Sequence, residues 1–433
     1  MKKVLIITYY WPPAGGPGVQ RVLKFAKYLP QFGWQPIILT VENGEYPAID
    51  ETLAEDIPEC CKIYKTNSIE PTFLYKKFTG MMPDEKIPVA ILAEENKNWK
   101  RRIAKWIRLN IFIPDAKIGW IPFAVKRGRE IIKKEKPDII FSSSPPPTVH
   151  LIAMKLAKWS GIKWVADFRD PWTDIYHYDE SKKTKLTQNI ESKLEEKVLN
   201  SCNKIITVSE GFKGLFKPKI ERSKIIEVIT NGFDQDDIQI KINKDYSNKF
   251  IISYAGKINH QQNPQNLWKT LSVIARNNDN FKRDLEIRLM GNINERVIQA
   301  IKLAGMNDNL INMNYINHNK LFHILSKSSI LLLLVPDTKK NQGIIPGKIF
   351  EYISLKKYIL GIGPPEGDSA KILNYTHSGK MFAFKDTKKL KYEILKLYDD
   401  WTKNNFSINP TNIEQFTRKN ITKKILKTFE ITL

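Results

Sequence analysis

A chain of 433 residues exceeds what a single hydrophobic core serves, so two domains are expected rather than one. Lys and Arg number 69 against 46 Asp and Glu, and the formal net charge of +23 draws the chain toward anionic partners such as nucleic acid, membrane headgroups or phosphorylated substrates. The three cysteines, Cys60, Cys61 and Cys202, match neither a disulfide framework nor a metal-ligand spacing and fit a reducing cytosol. The longest apolar runs fall far short of the ~20 residues that span a bilayer, which predicts no membrane-spanning segment and a cytoplasmic location.

The chain opens with an apolar run, Val4 to Ile7, that predicts a buried first strand. A turn of Trp11-Pro12-Pro13-Ala14-Gly15-Gly16-Pro17-Gly18 follows, then helical periodicity over 19–29. Further short apolar runs at 35–40, 137–141, 163–166 and 204–208 suit parallel strands buried on both faces, with helical stretches between them. After Thr230-Asn231-Gly232-Phe233-Asp234 the composition turns polar over 235–249, as in a linker. The same grammar restarts at 250–256, 285–291, 330–335 and 358–361, with a strand also expected at Asn312-Met313. These elements predict two doubly wound α/β domains, 1–234 and 250–411, facing a cleft, with 412–433 forming a polar helix that packs back on the first domain through Phe416, Ile421, Ile425 and Leu426.

Several positions carry candidate chemistry. Gly15-Gly16-Pro17-Gly18 joins a first strand to a first helix, where small residues admit backbone amides and a helix dipole to a phosphate; a tight turn with no ligand is the alternative. The dinucleotide fingerprint G-x-G-x-x-G is absent, since Arg21 stands at its last position, so NAD is disfavoured. Ala166-Asp167-Phe168-Arg169-Asp170-Pro171-Trp172 follows a strand at its carboxyl end, where open α/β sheets place ligands. Asp167 and Asp170, flanking Arg169, are the catalytic or acceptor-orienting candidates; helix capping is the alternative. His150, after Ser142 to Pro147, reads as structural. The segment 97–112 mixes Lys, Arg and aliphatics with Trp at helical spacing, placing Trp99, Ile103, Trp106 and Ile107 on one face. It fits either the surface of an anionic membrane or an ordinary amphipathic helix packed on its own domain.

The order of these motifs resembles family 4 glycosyltransferases, the retaining GT-B group that includes many enzymes of bacterial surface-polysaccharide assembly. The likeness rests on the glycine-rich first loop, on Ile205 to Ser209, on Ile229 to Asp234, on Tyr254-Ala255-Gly256-Lys257 and on Gly343-Ile344-Ile345-Pro346-Gly347-Lys348-Ile349-Phe350-Glu351-Tyr352-Ile353. The resemblance implies transfer of a sugar from a UDP- or GDP-sugar to a hydroxyl of a glycan or lipid-linked acceptor, with retention. Glu351 matches the glutamate that binds the nucleotide ribose, and Lys257 the basic residue that neutralises the donor diphosphate. Where the family has a second basic residue, this chain has Gln262 or Asn263, and Lys348 is the natural replacement. Gly343 stands where the family has a sugar-contacting glutamate, leaving backbone amides between Gln342 and Pro346 to read sugar hydroxyls. Gly16 and Gly18 join the diphosphate contacts, and the backbone near Asn314 and Tyr315 those to the nucleoside.

No metal and no cofactor are expected. Asp234-Gln235-Asp236-Asp237 imitates a D-x-D metal motif but falls in the linker, and GT-B enzymes neutralise the diphosphate with side-chain cations and helix dipoles. A nucleotide-sugar epimerase of the same fold is the rival enzyme. A basic nucleic-acid- or membrane-binding protein is the non-enzymatic one, although Lys and Arg are spread along the chain without a nucleic-acid-binding signature. The location implied is cytoplasmic, peripheral on the inner face of the membrane.

Overall fold

The computed structural model describes residues 1–46, 48–70, 99–174, 183–238, 248–314, 316 and 318–433. The chain divides into two compact units, one of residues 1–231 with 418–433, the other of residues 232–417.

In the first unit the described strands are β1 (Lys2–Ile7), β2 (Trp34–Val41), β3 (Lys62–Thr66), β4 (Ile139–Ser144), β5 (Trp164–Phe168), β6 (Lys204–Thr207) and β7 (Ile226–Val228). They form one parallel sheet in the order β3-β2-β1-β4-β5-β6-β7. Between them run α1 (Pro17–Tyr28), α2 (Trp99–Asn110), α3 (Ile121–Glu135), α4 (Thr148–Ser160), α5 (Lys185–Ser201) and α6 (Glu210–Phe216). Helical crossovers cover both faces of the sheet, which is why its central strands are continuous apolar runs rather than alternating ones. Ile6, Ile38, Phe141, Val165 and Ile206 are buried against Val22, Phe25 and Leu29 of α1 and the turn after it. The C-terminal helix Arg418–Thr432 completes that core. Its Phe429 ring lies 5.6 Å from Trp34 and 5.5 Å from Phe141, beside Ile421, Ile425 and Leu426. Each such side chain removed from water contributes about 1.5–3 kcal/mol. Phe416 lies instead in the second unit's core, 5.4 Å from Phe350, because the helix starts only at Arg418.

The second unit carries β8 (Phe250–Ala255), β9 (Leu285–Met290), β10 (Leu310–Met313), β11 (Ile330–Leu334), β12 (Tyr358–Ile362) and β13 (Gly379–Phe382), again all parallel, in the order β10-β9-β8-β11-β12-β13. Its helices are α7 (Gln265–Asn277), α8 (Asp279–Asp284), α9 (Glu295–Leu303), α10 (His318–Ser326), α11 (Lys348–Ser354), α12 (Asp368–Thr376) and α13 (Lys388–Thr402). One face of the sheet packs Phe250, Tyr254, Leu332 and Leu360 on Trp268, Phe281 and Tyr398. The other packs Leu331, Leu333 and Ile359 on Phe350, Ile353 and Phe416. Both sheets reverse direction of winding at one place, between β1 and β4 in the first unit and between β8 and β11 in the second. Crevices outside the carboxyl ends of those strands are where such sheets take ligands.

Candidate active site

In the first unit the reversal is framed by the turn after β1 and the turn after β4. Gly16 caps α1 with φ of 90°, a conformation that only glycine adopts freely, and Pro17 starts the helix. Gly18 is small for a different reason: a Cβ there would lie 3.3 Å from the Tyr10 ring. Arg21, one turn further, is fully buried. Its Nε and Nη2 donate to the two oxygens of Asp167 at 2.9 and 2.8 Å, and its remaining donors reach the Ile229 and Thr230 carbonyls and Asn231 Oδ1. Such a bidentate, fully hydrogen-bonded pair is the arrangement in which two buried charges are tolerated.

Two of the three catalytic candidates, Asp167 and Arg169, are engaged within the first unit. Asp167 has no exposed surface, and besides Arg21 it accepts the Ser143 hydroxyl at 2.6 Å. Arg169 donates to three carbonyls, Ser144 at 2.6 Å, Gly18 at 2.5 Å and Pro145 at 3.2 Å. Both tie the turns after β1 and β4 together. Asp170 differs. Its carboxylate makes no hydrogen bond among the described residues and lines a cavity of about 100 Å³ with Asp115, Glu191, Lys183, Arg108 and Trp172. Burial pushes the Asp170 carboxyl above its ordinary range, with Arg169 opposing. The other two acids are already engaged: Asp115 accepts the Thr148 amide and hydroxyl and the Lys117 amide, each at 2.8 Å, and Glu191 accepts Lys183 at 2.5 Å.

Sequence reasoning missed Arg21, Asp115 and Glu191 as members of this frame. Arg21 meets Asp167 across 146 residues and Asp115 meets Thr148 across 33, so no local pattern announces either contact. His150 is buried, its ring tilted against Phe168 with centroids 4.2 Å apart, and its Nδ1 lies 2.8 Å from the Ser142 hydroxyl. Trp164 Nε1 donates to that same hydroxyl, and His150 Nε2 has no hydrogen-bond partner among the described residues. Desolvation pushes the ring down to about 3.

In the second unit the turn after β8 gathers the basic candidates. Gly256 has φ of 119°, and a Cβ there would sit 2.9 Å from Lys348 Nζ. Lys348, at the start of α11, donates to Tyr254 Oη at 2.6 Å and to the Ala255 carbonyl at 2.7 Å, with its ammonium 3.8 Å from the Tyr254 ring centroid. Tyr254 Oη in turn donates to the Lys257 carbonyl at 2.9 Å, and the Ala255 amide donates to Tyr352 Oη at 3.1 Å. Lys257 is exposed. Desolvation lowers Lys348 to about 7, with Glu351 opposing. Glu351 is half-buried one turn along α11 from Lys348.

Other candidates are placed differently. Gln262 is half-buried and closes a capping box with Asn259, its Oε1 accepting the Asn259 amide at 3.2 Å, so its carbonyl is spent on the chain itself. Asn263 Oδ1 accepts Trp268 Nε1 at 2.9 Å. Pro346 has no amide to offer and its carbonyl accepts the Ile349 amide at 3.0 Å. Gly343 is buried, and the Ile344 amide already donates to Asn341 at 3.1 Å. Tyr315 lies outside the described residues, as do positions 97 and 98 of the basic segment. The described part of that segment is α2. Its Trp99, Ile103 and Trp106 are 61%, 42% and 51% exposed, whereas Arg108 and Leu109 line the Asp170 cavity. Among the described residues no helix is long and apolar enough to cross a membrane.

Two Rossmann-like units of parallel sheet in one chain are the architecture of the GT-B glycosyltransferases. The chain belongs to glycosyltransferase family 4, whose model matches residues 18–237, and the protein is a glycosyltransferase. Its fold is similar to that of a glycosyltransferase from Rickettsia africae, 18% identical over 100% of this chain and 98% of that one, with a TM-score of 0.59. It is similar also to the lipopolysaccharide outer core galactosyltransferase WaaB, 14% identical over 100% of both chains at 0.60. A third similar structure is a trehalose-6-phosphate protein from E. coli bound with UDP-2-fluoro glucose, 9% identical over 100% of both chains at 0.63. No curated protein sequence matches the chain.

Proposed function

We propose that the protein transfers a sugar from a UDP- or GDP-sugar to a hydroxyl of a glycan or lipid-linked acceptor, with retention, in cell-surface polysaccharide synthesis. The observation that carries the donor half is the cluster at the turn after β8, where two lysines adjoin a glycine turn at the sheet's reversal point. Lys257 and Lys348 meet the diphosphate, whose charge grows as the bond to the sugar breaks. With two cations there, no metal is needed. Glu351 accepts hydrogen bonds from the ribose hydroxyls. Binding of UDP-2-fluoro glucose by one protein of similar fold is in keeping with this reading.

On the acceptor side the reading rests on Asp170, the cavity-lining carboxylate left without a hydrogen bond among the described residues. Asp170 accepts a hydrogen bond from an acceptor hydroxyl other than the attacking one, and the attacking hydroxyl gives its proton to the departing phosphate as the new glycosidic bond forms on the face the leaving group vacates. No enzyme nucleophile is then required. The exposed Trp99, Ile103 and Trp106 of α2 support peripheral contact with an anionic membrane on its cytoplasmic face.

Titration with UDP and GDP tests the donor half directly. Glu351→Ala and Lys257→Ala each weaken the bound nucleotide by about 1–3 kcal/mol if these contacts are charge-assisted. Unchanged affinity in both variants refutes the assignment. Mass-shift screening of nucleotide sugars then identifies the donor.

A further inference from the structure

We propose that Lys348 binds donor by changing its charge: it stands as a neutral amine in a large share of empty molecules, takes a proton from solvent when the diphosphate arrives, and returns it when the nucleotide leaves. This inference rests on the donor site proposed above.

The geometry makes the case. Both hydrogen-bond partners of Nζ, the Tyr254 hydroxyl and the Ala255 carbonyl, are uncharged. Among the described residues Lys348 forms no ion pair, unlike the buried Arg21 with its bidentate carboxylate. A half-buried ammonium whose hydrogen-bond partners are all uncharged is disfavoured against its neutral form. The charged and titratable groups placed against it are few. From β8 comes Tyr254, whose own proton is committed to the Lys257 carbonyl. From α11 come Glu351, which favours the ammonium from one turn away, and Tyr352, whose hydroxyl accepts the Ala255 amide. Lys257, next to Gly256, is exposed to water. The balance brings Lys348 to about 7.

Nζ is nonetheless open in one direction. The missing side chain of Gly256 leaves room where a Cβ would stand 2.9 Å away, and an ammonium keeps a third N–H beyond the two already donated. A diphosphate reaching that point supplies the directly paired counter-charge the empty site lacks, and so favours protonation. In the sugar-transfer step the acceptor's proton still goes to the departing phosphate. Lys348 keeps its own until release.

By linkage, a group that gains protons on binding makes affinity fall as pH rises. Nucleotide affinity then drops up to tenfold per unit above about pH 7. The test is calorimetry of UDP binding to the full chain at pH 8, in buffers of differing ionisation heat. There UDP's terminal phosphate, with a pKa of about 6, is already ionised and takes up nothing. Uptake approaching one proton per UDP is expected. Lys348→Arg, charged throughout, binds without uptake, while Lys257→Ala binds more weakly with uptake unchanged. Tyr254→Phe, which removes one acceptor from the ammonium, raises uptake at pH 7. Measurable UDP binding with no buffer-dependent heat, or equal uptake in Lys348→Arg, overturns the inference and leaves the donor site standing. Failure of the wild type to bind either UDP or GDP overturns both.

Discussion

The two reversal points use charge in opposite ways. In the first unit the turns after β1 and β4 are held by Arg21, Asp167 and Arg169, whose donors and acceptors are engaged with one another or with the backbone. In the second unit the turn after β8 carries Lys257 in the open and Lys348 against neutral partners only. Charge that is paired inside the chain builds a frame. Charge left without a counter-ion is available to a ligand, and its cost to the empty protein is met when the ligand binds. The same residue types therefore mean different things in the two halves, and the distinction lies in their partners.

The largest effect that can break this comparison is in the first unit. Arg21→Met leaves Asp167 buried and uncompensated, and we expect a loss of about 3–5 kcal/mol in urea unfolding. Adding Asp167→Asn to Arg21→Met recovers part of it, since no charge is then stranded. A loss below about 1 kcal/mol means that this pair does not hold the two turns together.

A smaller effect sharpens the contrast from the other side. Gly256→Ala places a side chain at φ of 119° and 2.9 Å from Lys348 Nζ. Backbone strain of this kind costs about 1–3 kcal/mol, and the displaced amine loses its opening to the ligand. We expect UDP affinity to fall further than stability does, measured by calorimetry beside thermal unfolding. Equal binding by the variant removes Gly256 from the site.

The comparison also explains what could be read in the sequence. The central strands were legible because burial on both faces makes them unbroken apolar runs, as in Ile330 to Val335. Three strands nearer the sheet edges were not: β3 reads Lys-Ile-Tyr-Lys-Thr and is largely exposed, β7 has three residues, and β13 begins with Gly-Lys. The donor-site candidates Lys257 and Glu351 come from position in a motif. The separation of Asp167 from Asp170 does not, because three positions apart in sequence they differ only in what lies around them. Arg21, which ruled out the dinucleotide fingerprint, gave no sign of its partner 146 residues away. Phe416 is a periodicity error of the same origin, since a helical pattern extends past the residue where the helix begins.

His150 offers a pH-dependent check on the first unit's dry interior. Its folded-state pKa lies near 3, below the usual 6.5, because burial opposes the charged ring. The unfolded chain therefore binds the proton first. The associated stability is complete above about pH 6.5 and is lost as pH falls toward 3, at up to about 1.4 kcal/mol per unit. Between pH 6.5 and 5 this amounts to roughly 2 kcal/mol. His150→Gln removes that component, so its unfolding midpoint changes less over the same interval than the wild type's, while carboxylates elsewhere contribute alike to both. Parallel pH profiles would show that His150 is accessible to water and that the interior beside Asp167 is not dry.

The smallest expected change in stability belongs to α2, which joins the two uses of side chains in one helix. Arg108 and Leu109 line the Asp170 cavity, while Trp99, Ile103 and Trp106 are each more than 40% exposed. Substitution of Trp99 and Trp106 by Ser should shift unfolding by no more than about 0.5 kcal/mol, as for surface positions generally. Binding to phosphatidylcholine vesicles containing phosphatidylglycerol should fall several-fold. Wild-type binding should weaken with added salt, because basic side chains such as Arg102 and Arg108 contribute attraction that ions screen. Equal binding to neutral vesicles, or none lost in the double variant, separates the two faces of α2 and assigns the exposed tryptophans to some cover other than lipid.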